Sequence, residues 1–116
     1  MVRSVLQNLE NNNISAITSY LTWDEFTYAL LKKINRSIAE EYASFLFELD
    51  GLSFIPVHEQ IIKTAAHFFS HYKLKPRDAI HMATAHNSDI KNIISEDSDF
   101  DKISLIERIW LDYNLF

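Results

Sequence analysis

The sequence predicts an α/β fold in which a mostly parallel sheet is flanked by helices, and three observations lead there. Apolar residues recur at helical spacing over five stretches, and short apolar runs rich in β-branched residues fall between those stretches. Parallel neighbours need crossover connections, and the crossover helices bury both faces of the sheet. The chain has 116 residues, 47% of them hydrophobic and 23% charged, with no internal repeat, linker or low-complexity segment. The expectation is therefore one domain over residues 1–116.

The elements follow in order. Val2, Val5, Leu6 and Leu9 mark an N-terminal helix that the turn-forming Asn11, Asn12 and Asn13 end. Ile14–Thr18 reads as a strand. Thr22 and Glu25 have the Thr-x-x-Glu spacing of a capping box, opening a helix that runs to about Asn35. Ile38, Tyr42, Phe45, Leu46 and Leu49 form the next helical stripe, stopped by Asp50 and Gly51, since glycine takes the left-handed conformation common at helix ends. Ser53–Val57 is a strand that Pro56 moves towards a sheet edge or strand end. Ile61, Ala65, Phe68, Phe69 and Tyr72 mark another amphipathic helix. Pro76 opens the one after it, where a missing N–H costs little. Asn92–Ser95 and Leu105–Trp110 are the last two strands.

Composition removes several function classes. There is no cysteine, which excludes disulfide scaffolds, thiolate metal sites and Cys nucleophiles. Gly51 is the single glycine, so neither a dinucleotide-binding glycine loop, a phosphate loop of the Walker type nor a Gly-x-Ser-x-Gly elbow is present. The net charge of −5 argues against nucleic-acid binding through a broad basic surface; a site that takes phosphate through a metal escapes that objection. No stretch approaches the roughly 20 apolar residues of a membrane-spanning helix. The N-terminal residues lack the long apolar centre of a secretory signal, so a cytoplasmic protein without membrane association is expected.

In open parallel sheets ligands sit outside the carboxyl ends of the strands, and three acids occupy such places. Glu25 opens the helix after the first strand, Asp78 lies in the first turn of the Pro76 helix, and Asp97 follows the strand at Asn92–Ser95. Three convergent carboxylates suit Mg²⁺ or Mn²⁺, which take oxygen ligands and retain water. Each acid has an ordinary reading as well. Glu25 completes the capping box with Thr22, Asp78 complements a helix dipole, and Asp97, Asp99 and Asp101 serve as solvated turn residues. The residues alone leave both readings open. His67 and His71 stand four apart and have the spacing of a chelate, but with no third ligand nearby they read as a solvated helix face. His58, His81 and His86 share no spacing. Lys73, Lys75 and Arg77 precede Asp78 and either guide a phosphodiester strand or solvate the start of the helix.

The segment Leu74-Lys75-Pro76-Arg77-Asp78-Ala79-Ile80-His81-Met82-Ala83-Thr84-Ala85, followed by Ile93-Ile94-Ser95-Glu96-Asp97-Ser98-Asp99-Phe100-Asp101, resembles the C-terminal half of PIN domains, particularly archaeal ones like VapC toxins. Upstream, Thr18-Ser19-Tyr20-Leu21-Thr22-Trp23-Asp24-Glu25 is similar to the segment of that family that carries its Glu. The resemblance implies a PIN-like three-layer fold with metal-site acids at Glu25, Asp78 and Asp97 and an accessory acid at Asp99. It also implies Mg²⁺ or Mn²⁺ as cofactor, RNA as substrate and an antitoxin protein as partner. The strand that opens such domains, and its Asp, have no counterpart here, so the fold is expected to be N-terminally truncated by one central strand. Either the start was assigned late or the strand was truly lost.

The resulting expectation is a metal-dependent endoribonuclease, with Glu25, Asp78 and Asp97 as catalytic carboxylates. The rival is a catalytically impaired PIN remnant acting as a binding or dimerisation module; an α/β receiver domain ranks third because the acids match its contexts less closely. Strand edges left by the missing strand, together with the apolar tail Trp110–Phe116, predict a homodimer with Trp110, Tyr113 or Phe116 near the interface.

Overall fold

The structure is a computed structural model that describes Gln7, Asn8, Asn11, residues 14–95 and residues 97–109. These fall into two compact units, one within Val5–Pro56 and one within Val57–Phe116. The apolar positions of the expected first helix, and the tail Trp110–Phe116 proposed for dimer contact, lie outside the described residues.

In the N-terminal unit, strand β1 (Ala16–Ser19) pairs in parallel with β2 (Leu52–Ile55), Ala16 opposite Leu52 and Ser19 opposite Ile55. β1 begins two residues later than the sequence suggests, because the Ile14 N–H donates to the Asn8 carbonyl at 3.4 Å instead of to a neighbouring strand. β2 stops before Pro56, which has no N–H to give a ladder. Gly51, at φ 79°, turns the chain into β2, and its carbonyl accepts the Ala16 N–H at 2.8 Å. Between the strands run helices α1 (Leu21–Lys33) and α2 (Arg36–Phe45), which provide the crossover that parallel pairing demands.

The start of α1 differs from the expected capping box. Tyr20 is the N-cap residue, the Leu21 N–H donates to Ser19 Oγ at 3.1 Å, and the Thr22 hydroxyl bonds Thr18 Oγ1 at 2.6 Å. Ser19 thus satisfies a free N–H one turn earlier, leaving Thr22 inside the helix and not at its cap. α2 has the side-chain cap that α1 lacks: the Ile38 N–H donates to Asn35 Oδ1 at 2.8 Å. It buries Ala39 and Ala43, one turn apart on one face. Tyr20, Phe47 and Phe54 form an aromatic group, with ring centroids 5.0 Å apart for Phe47–Phe54 and 5.3 Å for Tyr20–Phe54.

The C-terminal unit packs helix α3 (Glu59–Tyr72) against α4 (Pro76–Asn87). Ile61, Ala65 and Phe68 lie on one stripe of α3 and share a core with Ala79, Met82 and Ala83 of α4, Leu74 of the connection, and Phe100 and Ile103. The alanines let the helices approach closely while Ile61, Phe68 and Met82 fill the space. Burying each of these three contributes about 1.5–3 kcal/mol. Lys73 ends α3 in the left-handed conformation at φ 58°, and Pro76 opens α4 as the sequence predicts. Strand β3 (Asn92–Ile94) pairs in parallel with β4 (Glu107–Ile109). Leu105, expected in that last strand, sits in the turn before it, where the Ile106 N–H bonds the Ile103 carbonyl at 3.4 Å. All strand pairing among the described residues is parallel and all of it is bridged by helices or a 3₁₀ turn, which is the expected α/β class.

Candidate metal centre

Asp78 comes to the site from the first turn of α4, where Pro76 sets the helix start two residues earlier. Asp97 and Asp99 arrive from the segment after β3, which winds into a 3₁₀ turn over Ser98–Lys102. That segment is shaped by short side chains acting on nearby backbone. The Asp97 N–H donates to Ser95 Oγ at 3.0 Å, and the Asp99 N–H donates to Asp97 Oδ1 at 2.9 Å. Both are bonds across two residues, the pattern by which Ser and Asp build tight turns. Their effect is to commit one Asp97 oxygen to the backbone and orient the other.

One carboxylate oxygen from each of Asp78, Asp97 and Asp99 lies within 4.8 Å of the other two, and all three residues are half-buried. Burial, first, and then the charge of Asp97 push the Asp78 carboxyl above its ordinary value, helped by a side-chain hydrogen bond with Asp97; His81 and Lys75 pull it partway back. Negative charge is therefore held together here against its own repulsion. A hard divalent cation with oxygen preference relieves that cost, and an all-carboxylate donor set with room for water is the kind such an ion takes. The residues present fit Mg²⁺ or Mn²⁺.

Arg108 of β4 braces the same segment. Its guanidinium grips Asp101 through Nε to Oδ1 at 2.8 Å and Nη2 to Oδ2 at 3.0 Å, and Nη1 donates to the Ser95 carbonyl at 3.2 Å. The fork holds the Asp101 carboxyl below its ordinary range. One side chain thus ties β4 to both ends of the stretch that carries Asp97 and Asp99. Sequence reasoning did not single out Ser95, Asp101 or Arg108 for this task. The Ser95-x-Asp97-x-Asp99 spacing was a visible signal for the turn, whereas nothing local pointed from Arg108 back to Ser95, thirteen residues earlier.

Of the four acids expected at the site, Asp78, Asp97 and Asp99 are brought together within the C-terminal unit. Glu25 is a half-buried residue of α1 in the N-terminal unit. Because Thr22 is not the N-cap of α1, the capping-box explanation for Glu25 does not hold.

A family model described as PIN domain matches residues 2–105. No curated protein matches the chain. Among solved structures, it is similar to one described as a toxin–antitoxin complex from Klebsiella pneumoniae, with 24% identity and a TM-score of 0.58 over 77% of this chain and 69% of that one. At that identity the likeness speaks for the fold.

Proposed function

The chain belongs to the PIN domain family, and from that premise we propose that it is a metal-dependent endoribonuclease of the VapC type that hydrolyses RNA phosphodiesters, with Glu25, Asp78 and Asp97 the catalytic carboxylates that the resemblance implies and Asp99 an accessory metal-site acid. The observation that carries the reading is the convergence of three carboxylate oxygens within 4.8 Å from two separate elements. When bound, Mg²⁺ or Mn²⁺ supplies activation of water and neutralises charge building on the phosphodiester. Asp78, held half-buried beside the charge of Asp97, offers a carboxylate oxygen whose repulsion a bound cation would offset. Asp97, pinned by the Asp99 N–H, keeps its oxygen aimed at the shared position, and Arg108 holds the loop that presents it. In this reading the protein works in the cytoplasm as a homodimer, and an antitoxin protein restrains it. No helix of the described residues is long and apolar enough to cross a membrane.

The test pairs Mn²⁺ calorimetry with cleavage of a mixed-sequence RNA, using the wild type, Asp78→Asn and Asp97→Asn, with folding checked by circular dichroism. Metal-dependent cleavage by the wild type, lost in both folded variants, supports the nuclease. Equal Mn²⁺ affinity in all three proteins removes these residues from the site. Mn²⁺ binding without cleavage favours the rival, an impaired PIN remnant that serves as a binding or dimerisation module.

A further inference from the structure

His67 and His71 occupy successive turns of α3, so their side chains leave the same face of the helix. The rings stack nearly parallel, at an interplanar angle of 10° and a centroid separation of 5.7 Å. Both rings are exposed and each touches an aromatic neighbour. The Tyr72 ring meets His71 edge-on at 4.6 Å, and Phe68, only 4% exposed and fixed in the core, lies 5.7 Å from His67. Phe68 and Tyr72 in turn meet at 5.8 Å with their rings tilted by 35°. The two imidazoles are thus held side by side by aromatic neighbours, one of them anchored in the core.

The surrounding charge is nearly balanced. Lys63, one turn before His67, is engaged by Glu59 at 2.9 Å on the side away from His71. From α4, His86 packs edge-on against Phe68 at 5.3 Å and lines the same open cleft as His67, together with Gln60, Lys63, Thr64 and Leu105.

We propose that His67 and His71 form a second cation site, one that takes a borderline transition-metal ion such as Ni²⁺, Cu²⁺ or Zn²⁺ through two imidazole nitrogens, with water completing the coordination. Metal–nitrogen bonds of about 2.0–2.1 Å require the two nitrogens to come within about 4 Å of each other, so the two exposed side chains turn from their parallel arrangement to aim their in-plane lone pairs at one ion. Imidazole selects these ions, whereas the all-oxygen set at Asp78, Asp97 and Asp99 selects Mg²⁺ or Mn²⁺. The unit therefore presents two centres of different chemistry, one at the start of α4 and one in the last turns of α3.

The experiment titrates Ni²⁺ into the full chain without an affinity tag, by calorimetry and by thermal shift, in a background of saturating Mg²⁺. Wild type, His67→Asn, His71→Asn, His86→Asn and Asp78→Asn are compared. All three substituted histidines are exposed, so the fold survives their replacement. The expected result is a loss of Ni²⁺ affinity of at least tenfold in His67→Asn and in His71→Asn, with loss of the thermal shift, while His86→Asn and Asp78→Asn bind as the wild type does. Unchanged affinity in His67→Asn or His71→Asn overturns the proposal, as does a loss confined to Asp78→Asn, which places the ion among the carboxylates.

Discussion

Replacing Asp78 with Asn is expected to make the metal-free protein more stable while removing its response to Mn²⁺. Asp78 shares a 4.8 Å space with Asp97 and Asp99. Two unit charges that far apart repel by about 0.9 kcal/mol in bulk water and about 3.5 kcal/mol at the effective dielectric of about 20 found near protein surfaces. The half-buried setting and solvent screening place each pair towards the lower value. Losing the repulsion from Asp97, offset in part by the lost attraction of His81 and Lys75, is then worth about 1 kcal/mol or less, a rise in Tm of at most roughly 4 °C for a chain of this size. The pH dependence has a definite sign. A carboxyl held above its ordinary 3.8 binds more protons folded than unfolded, so wild-type stability falls as pH rises from 3.8 through the folded value, and the penalty is complete above it. Asp78→Asn lacks that slope. Mn²⁺ at a hundred times its Kd adds about 2.7 kcal/mol to the wild type. The assay is thermal unfolding from pH 4 to 8, with EDTA and then with Mn²⁺. A metal-free Asp78→Asn protein no more stable than wild type at neutral pH, or one that Mn²⁺ still stabilises fully, would refute the reasoning.

Other substitutions read the parts that hold the centre in place. Arg108→Gln removes the fork to Asp101 and the bond to the Ser95 carbonyl without touching a metal-site acid, and is expected to weaken Mn²⁺ binding about tenfold by calorimetry; Arg108→Lys, unable to form the fork, recovers only part of it. Met82→Ala, at a position with no exposure, leaves a cavity between α3 and α4 and should cost about 2–5 kcal/mol in urea unfolding. Asn35→Ala deletes the cap of α2 and should cost about 1 kcal/mol in the same experiment.

Much of this protein is legible along the chain because its signals are local. Proline has no N–H to lose, so Pro76 marks the start of α4 from sequence alone, while Pro56 ends β2 at Ile55, two residues short of the Val57 that the sequence suggests. Gly51 marks the turn into β2 because its left-handed backbone is one that other residues avoid. The stripe of Ile61, Ala65 and Phe68 declares the buried face of α3, and the Ser95-x-Asp97-x-Asp99 spacing contains its own turn. The first turn of α1 shows where local reasoning stops. Thr22 and Glu25 have the spacing of a cap, yet Ser19 reaches the Leu21 N–H first, and which donor is satisfied depends on where β1 ends. The convergence of Asp78 with Asp97 is likewise a property of packing. The core of Met82, Ala83, Phe100 and Ile103 brings the start of α4 and the turn after β3 to one place, and only then do their charges feel each other. Arg108 had to be carried by β4 to the far end of a thirteen-residue loop before it could brace that place. The sequence by itself determined which side chains carry cation-binding groups; burial and distance, which tertiary structure alone decides, determined which of them lie within 4.8 Å of one another.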